Sequence, residues 1–196
     1  GLAFANRYRG NDKITLTYFG DGAANQGQVY ESFNMASLWK LPVIYVIENN
    51  GYAMGTEITR ASAEVNLSRR GLSFNIPGEQ VDGMDVRAVK ATGDKAAAWC
   101  RSGKGPFILE MLTYRYRGHS MSDPAKYRTR EEVDKVRTTH DPIDMARHRI
   151  LEKKFASEES LKKIDAEVRD LINNAAEFAT HDPEPDVSEL YTDIYR

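Results

Sequence analysis

Five consecutive apolar residues, Val43-Ile-Tyr-Val-Ile47, stand between Pro42 and the polar triplet Glu48-Asn49-Asn50. A strand with one wet face alternates apolar and polar residues. An unbroken run fits a strand buried on both faces, which belongs to a parallel sheet covered by helices on each side. Upstream, Lys13-Ile-Thr-Leu-Thr-Tyr-Phe19 alternates and is β-branched, so it reads as a second strand, stopping at Gly20-Asp21-Gly22. Between the two, Gln28 to Lys40 fits a helix with Val29, Phe33, Ala36 and Leu38 among its apolar positions, closed by Pro42. Strand, helix, strand is the βαβ unit of a parallel sheet.

The order then repeats loosely. Glu79-Gln-Val81 is a short strand, Asp85 caps a helix running to about Arg101, and Pro106-Phe-Ile-Leu-Glu-Met-Leu112 is a further strand. Thr113 to Arg128 reads as a loop rich in Arg, Gly, Ser and Tyr. Thr129 with Glu132 forms a capping-box pattern, and Asp141-Pro142 pairs a good cap with a good first helical residue. Ser157 to Thr180 is expected to be one long helix with Leu161, Ile164, Val168, Ile172, Ala175 and Ala179 on a single stripe. Asp182-Pro183-Glu184-Pro185 breaks the chain before a short tail. The expected fold is α/β, a parallel sheet with helices on both faces, over residues 1–129, with residues 130–196 as a helical C-terminal extension.

The 196 residues suit one domain with a sizeable core, or one domain and an appendage. A formal net charge of −2 favours neither nucleic acid nor anionic membrane as a partner, and no apolar run approaches the roughly 20 residues of a membrane span. A single cysteine, Cys100, excludes an internal disulfide; nothing beside it would activate a nucleophile, so a packed thiol is expected. The chain opens on Gly1 rather than Met, and Gly1-Leu2-Ala3-Phe4-Ala5 reads like the middle of a helix. It is therefore expected to be a fragment.

In open parallel sheets, ligands sit beyond the carboxyl ends of the strands. Gly20-Asp21-Gly22 lies at such an end: Gly20 would permit a sharp turn, Gly22 would admit a phosphate close to backbone amides, and Asp21 would present a carboxylate. Alone, the tripeptide reads first as a plain surface turn. Asn49-Asn50-Gly51-Tyr52 ends the next strand, one helix further on, so Asp21 and Asn50 are expected to converge from neighbouring tips. A carboxylate, an amide oxygen and a backbone carbonyl are hard oxygen ligands that suit Mg2+ shared with phosphates and water. The pair together points to a metal–diphosphate site.

Gly20-Asp21-Gly22 followed about thirty residues later by Asn49-Asn50 resembles the thiamine-diphosphate fingerprint. Gly20-Asp-Gly-Ala-Ala-Asn-Gln-Gly27, Phe33-Asn-Met-Ala36, Trp39-Lys-Leu-Pro42, Val81-Asp-Gly-Met-Asp85 and Tyr114-Arg-Tyr-Arg-Gly-His-Ser-Met-Ser-Asp-Pro124 extend the resemblance. Together they resemble the alpha subunits of the thiamine-diphosphate-dependent 2-oxo acid dehydrogenases, over nearly the whole chain. The resemblance implies the thiamine-diphosphate-binding fold, with Asp21, Asn50 and the Tyr52 carbonyl on Mg2+. It places the backbone of Gly22 and Ala23, with Arg115, on the diphosphate. It makes residues 115–130 the loop over the cofactor channel, with His119 near the cofactor as a hydrogen-bond donor and proton-transfer catalyst. It aligns Ser120 with a serine that a kinase phosphorylates in animal relatives.

The activity implied is oxidative decarboxylation of pyruvate with acetyl transfer to a lipoyl group. The implied partners are a beta subunit, in a heterotetramer of two alpha and two beta chains, and the lipoyl domain of a dihydrolipoamide acetyltransferase. The glutamate that activates the aminopyrimidine is expected from the beta subunit. The sequence departs from animal relatives in the short Asp123-Pro124-Ala125-Lys126-Tyr127 segment and at Glu57, which stand where those relatives carry further phosphorylated serines. A bacterial, cytoplasmic protein is expected in preference to one of the mitochondrial matrix. Gly51 stands where pyruvate-specific relatives often have Arg and is shared with acetoin and branched-chain relatives, which keeps those substrates as the alternative; a non-catalytic scaffold of the same fold is a second. Five cations, Arg115, Arg117, Lys126, Arg128 and Arg130, with few apolar anchors, lead to the expectation of a loop that the cofactor orders.

Overall fold

The computed structural model describes residues 1–194. In chain order, the elements are α1 (Leu2–Tyr8), β1 (Thr15–Gly20), a short 3-10 turn (Ala23–Asn25), α2 (Gly27–Leu38), β2 (Val43–Asn49), β3 (Tyr52–Ala53), β4 (Thr56–Glu57) and α3 (Ile58–Ala61). A longer 3-10 segment (Leu67–Phe74), β5 (Gly78–Asp82), α4 (Val86–Arg101), β6 (Phe107–Leu112), α5 (Arg130–His140), α6 (Pro142–Glu152), α7 (Glu158–His181) and a last 3-10 turn (Val187–Tyr191) follow. The chain divides into two compact units, Gly1–Ala146 and Arg147 onward.

The first unit is built on a four-stranded sheet in the order β1-β2-β6-β5, parallel throughout. Val43 to Ile47 are all buried, as the unbroken apolar run requires. Their side chains divide by parity. Val43, Tyr45 and Ile47 join Phe33 and Ala36 of α2, Leu67 of the 3-10 segment and Ile108. Ile44 and Val46 join Ala96 and Cys100 of α4 with Phe107, Leu109 and Met111. The sheet is therefore an α/β layer with a helix-lined core on each face, as expected. The ladder from Thr15↔Val43 to Gly20↔Glu48 starts two residues after Lys13, where the N–H of Thr15 meets the Pro42 carbonyl at 2.9 Å.

Helix α2 ends at Leu38, two residues short of the expected limit, because Lys40 turns left-handed at φ 48 ahead of Pro42. Asp85 caps α4 by accepting the Arg87 N–H at 2.9 Å. Thr129 caps α5 through the Glu132 N–H at 3.1 Å, but the box stays half-made: the Glu132 carboxylate instead accepts the Tyr114 hydroxyl at 2.9 Å. In the second unit, Ser157 and Ser160 form a reciprocal capping box on the 24-residue α7. Its stripe of Ile164, Val168 and Ile172 remains exposed. No described helix is long and apolar enough to cross a membrane.

Candidate functional site

The parallel register brings the carboxyl ends of β1, β2, β6 and β5 to one edge of the sheet, with Asn49, Leu112 and Asp82 level across β2, β6 and β5. Asp21 follows directly on β1 and is only 3% exposed. Its carboxylate is met by its own backbone N–H and by that of Asn50. The convergence of the two strand tips is therefore a direct contact. Burial pushes the Asp21 pKa above the ordinary carboxylate range, against those hydrogen bonds and the Arg115 charge, which pull it down. A buried carboxylate so weakly compensated is suited to a cation.

The turn after β2 is sharp. Gly51 takes φ +81, and the Asn49 and Asn50 side-chain oxygens accept the N–H groups of Gly51 at 3.0 Å and Tyr52 at 3.4 Å. The β3–β4 hairpin then folds back over the β1 turn. A Cβ built on Gly22 would lie 2.5 Å from the Ala53 Cβ, so Gly22 is needed for this close approach of two backbones. Gly20, by contrast, has an ordinary negative-side φ and room for a side chain, so the sharp turn assigned to it does not depend on glycine. Gly22 and Ala23 open the 3-10 turn, whose buried Ala24 carbonyl is held by Arg70 Nη1 at 2.9 Å. Arg70 also reaches Asn25 Oδ1 at 2.7 Å and the Tyr30 hydroxyl at 2.9 Å.

Arg115 donates to the Tyr52 carbonyl at 2.9 Å and to the Met54 carbonyl at 3.3 Å. It thus lies beside both Asp21 and the carbonyl assigned to the metal. Arg128 in turn donates to the Arg115 carbonyl, and its guanidinium stands over the rings of Tyr114, Tyr52 and Tyr127 at 4.9, 5.0 and 5.2 Å. Tyr52 and Tyr127 pack with ring centroids 4.8 Å apart. The loop therefore has aromatic anchors that counting its cations and aliphatic residues did not reveal. It also has an anionic centre: Asp123 accepts the N–H of His119 at 2.7 Å, the N–H of Ala125 at 2.8 Å and the Tyr127 hydroxyl at 2.7 Å. Those bonds pull its pKa down to about 2. All five loop cations line one cleft of about 380 Å³.

His119 and Ser120 are exposed, and Ser120 Oγ lies 3.1 Å from Ser122 Oγ. The His119 imidazole makes no hydrogen bond among the described residues, whereas Asp21 interacts with Asn50 and Arg115, and both of those bond to Tyr52. Among the described residues, no three His, Cys, Asp or Glu side chains cluster to hold a metal. A cation at Asp21 would draw on the neutral oxygens of Asn50 and Tyr52, and its remaining charge would come from the phosphates of a ligand. The oxygen-only donor set fits Mg2+.

These features define a doubly covered parallel α/β domain with an oxygen-rich crevice beyond its strand tips. Residues 1–188 match the model of the dehydrogenase E1 component family, and the chain belongs to that family. It is 71% identical over 194 residues to the pyruvate dehydrogenase E1 component subunit alpha of Rhizobium meliloti, covering 99% of this chain and 56% of that protein. It is 56% identical to the subunit of the same name from Zymomonas mobilis, covering 99% of this chain and 54% of that one. With the somatic mitochondrial form from Bos taurus the identity is 55%, over all of this chain and 50% of the relative. The chain thus spans about half the length of these curated relatives.

Proposed function

We propose that this chain is the part of a pyruvate dehydrogenase alpha subunit that holds the diphosphate and metal end of thiamine diphosphate. The observation that carries the proposal is the buried Asp21 carboxylate receiving the Asn50 N–H across the β1–β2 tips, with the Tyr52 carbonyl and Arg115 alongside. The names of the relatives support pyruvate as substrate. Residues 1–129 would form the diphosphate- and Mg2+-binding domain and residues 130–196 its helical extension.

Asp21 supplies the one charged protein ligand to Mg2+, and Asn50 and the Tyr52 carbonyl complete the protein's share. The backbone of Gly22 and Ala23 and the fork of Arg115 hold the diphosphate. When bound, thiamine diphosphate supplies the nucleophilic carbon and the electron sink for decarboxylation. His119, on the exposed loop, donates a hydrogen bond and assists proton transfer at the channel mouth. A phosphate on Ser120 would set negative charge beside an anionic cofactor and oppose loop closure. A beta subunit would supply the pyrimidine-activating carboxylate, and the lipoyl domain of an acetyltransferase would take the acetyl group at the loop. The compartment that fits a bacterial protein is the cytoplasm. Gly51, the residue shared with acetoin and branched-chain relatives, has a backbone reason for being glycine in its φ of +81.

Calorimetric titration of the assembled protein with Mg2+ and thiamine diphosphate tests the site. Asp21→Ala is expected to abolish most Mg2+-dependent binding, and Asp21→Asn to give an intermediate defect. Unchanged affinity in Asp21→Ala would overturn the assignment.

A further inference from the structure

Glu110 has no part in the chemistry above, yet it is fully buried in the middle of β6. Everything it bonds is a donor. Its Oε1 accepts Asn49 Nδ2 at 2.7 Å, and its Oε2 accepts the Ser68 N–H at 2.9 Å and Gln80 Nε2 at 3.1 Å. Those donors come from β2, the 3-10 segment and β5. Three N–H groups converge on two oxygens, so the position calls for a group that only accepts.

The bond to Asn49 has a consequence for the crevice. With its Nδ2 committed to Glu110, Asn49 must turn Oδ1 the other way, where it accepts the Gly51 N–H at 3.0 Å. A flipped amide would set oxygen against carboxylate and NH2 against N–H, losing both bonds. Gly51 lies between Asn50 and Tyr52, at a positive φ that needs holding. The Asn50 N–H in turn reaches Asp21.

We propose that Glu110 is a positioning residue for the cation site: its carboxylate fixes the Asn49 amide, and that amide fixes the Asn50–Tyr52 backbone that meets Asp21. This inference rests on the reading of Asp21, Asn50 and Tyr52 as the cation site.

Exchange of donor and acceptor tests it. Glu110→Gln brings an NH2 into a nest of donors. Asn49→Asp sets two carboxylates face to face. The double variant Glu110→Gln/Asn49→Asp restores every bond with one reversed: the new amide donates to residue 49, which still accepts from Gly51, and its oxygen keeps Ser68 and Gln80. The net charge of the pair is that of the natural protein.

The measurement is Mg2+-dependent thiamine diphosphate affinity and melting temperature of the full-length protein assembled with its partner subunit. Each single variant should bind at least about tenfold more weakly, the equivalent of a lost charge-assisted hydrogen bond, and the double should return to within about threefold. Gln80→Leu, which removes a Glu110 donor that does not touch the loop, should lower the melting temperature and leave affinity unchanged. If the single variants fail to assemble, a double variant that assembles and binds normally supports the proposal, and one that fails to assemble overturns it. Normal affinity in both single variants, a double no better than the worse single, or a Gln80→Leu defect as large as that of Glu110→Gln overturns it as well. Asp21→Ala, measured alongside, separates the two readings. If it also binds normally, the site itself is misassigned; if it alone weakens binding, only the role of Glu110 falls.

Discussion

Gly22→Ala tests the packing of the hairpin on the β1 turn. The added methyl carbon would lie 2.5 Å from the Ala53 Cβ and 3.6 Å from its Cα. Carbon atoms rest about 3.5–4.0 Å apart, so the two backbones must separate by on the order of 1 Å. Neither methyl has a rotamer that could relieve the contact. Overpacking of this kind costs about 1–3 kcal/mol. How that cost divides depends on what moves. Asp21 precedes Gly22 and Tyr52 precedes Ala53, so separating the backbones draws the carboxylate away from the carbonyl. If the chain relaxes in this way, the strain appears as a loss of cofactor affinity, about 5–150-fold for the same energy. If it does not relax, the strain appears as lost stability. Thermal denaturation and Mg2+–thiamine diphosphate titration of the assembled protein should together account for the penalty. Ala53→Gly in the same chain frees the space for the new methyl and should recover most of it, less the ~0.5–1 kcal/mol that a glycine adds through backbone entropy. A Gly22→Ala protein with unchanged melting temperature and affinity would refute the packing argument, as would a double variant no better than the single.

Two further expectations concern single groups. Asp123 is held as an anion by three donors, so the folded loop gains stability from it above the ordinary value of 3.8 and loses that gain as pH falls through about 2. A carboxyl titration by NMR should give a midpoint near 2, and Asp123→Asn should speed tryptic cleavage at Arg117 and Lys126 at neutral pH; an ordinary midpoint with unchanged cleavage would count against the loop geometry. Burial pushes the Cys100 thiol up to about 11, and its Sγ lies 3.6 Å from the Val43 carbonyl. At pH 8 it should resist a disulfide reagent until the protein is denatured, and prompt reaction of the native protein would contradict its place in the core.

Some of this structure was legible in the sequence because single physical causes dominated. Burial on both faces of β2 leaves an unbroken apolar run, and a cap at Asp85 or Thr129 announces its helix. The meeting of Asp21 with Asn50 followed from βαβ topology alone. The hairpin of β3 and β4 was not legible, since two-residue strands carry no periodicity. The 3-10 segment was hidden for a different reason: its Gly71 is set by a tertiary contact, where an added Cβ would fall 2.5 Å from the Ile108 Cδ1. Arg115 was expected on a phosphate, and its bond to the Tyr52 carbonyl depends on how the loop returns over the hairpin. The tyrosines around Arg128 come from the two ends of its own loop and from β3, a grouping that no local pattern encodes.

The position of β6 has a consequence for synthesis. Of the described strands it is made last, yet it lies between β2 and β5. While residues 107–112 are still inside the ribosome, β2 and β5 stand without the strand that joins them, across a slot two strand spacings wide, about 9.6 Å. From Asn49 to Leu112 the ribosome must add 63 residues, which at ordinary rates takes about 3–13 s. Through that interval β2, buried on both faces in the finished fold, carries an unpaired edge, and Asn49 waits for the carboxylate that will orient it. A chaperone acting on the nascent chain would therefore do most by shielding the open side of β2 until its final neighbour arrives.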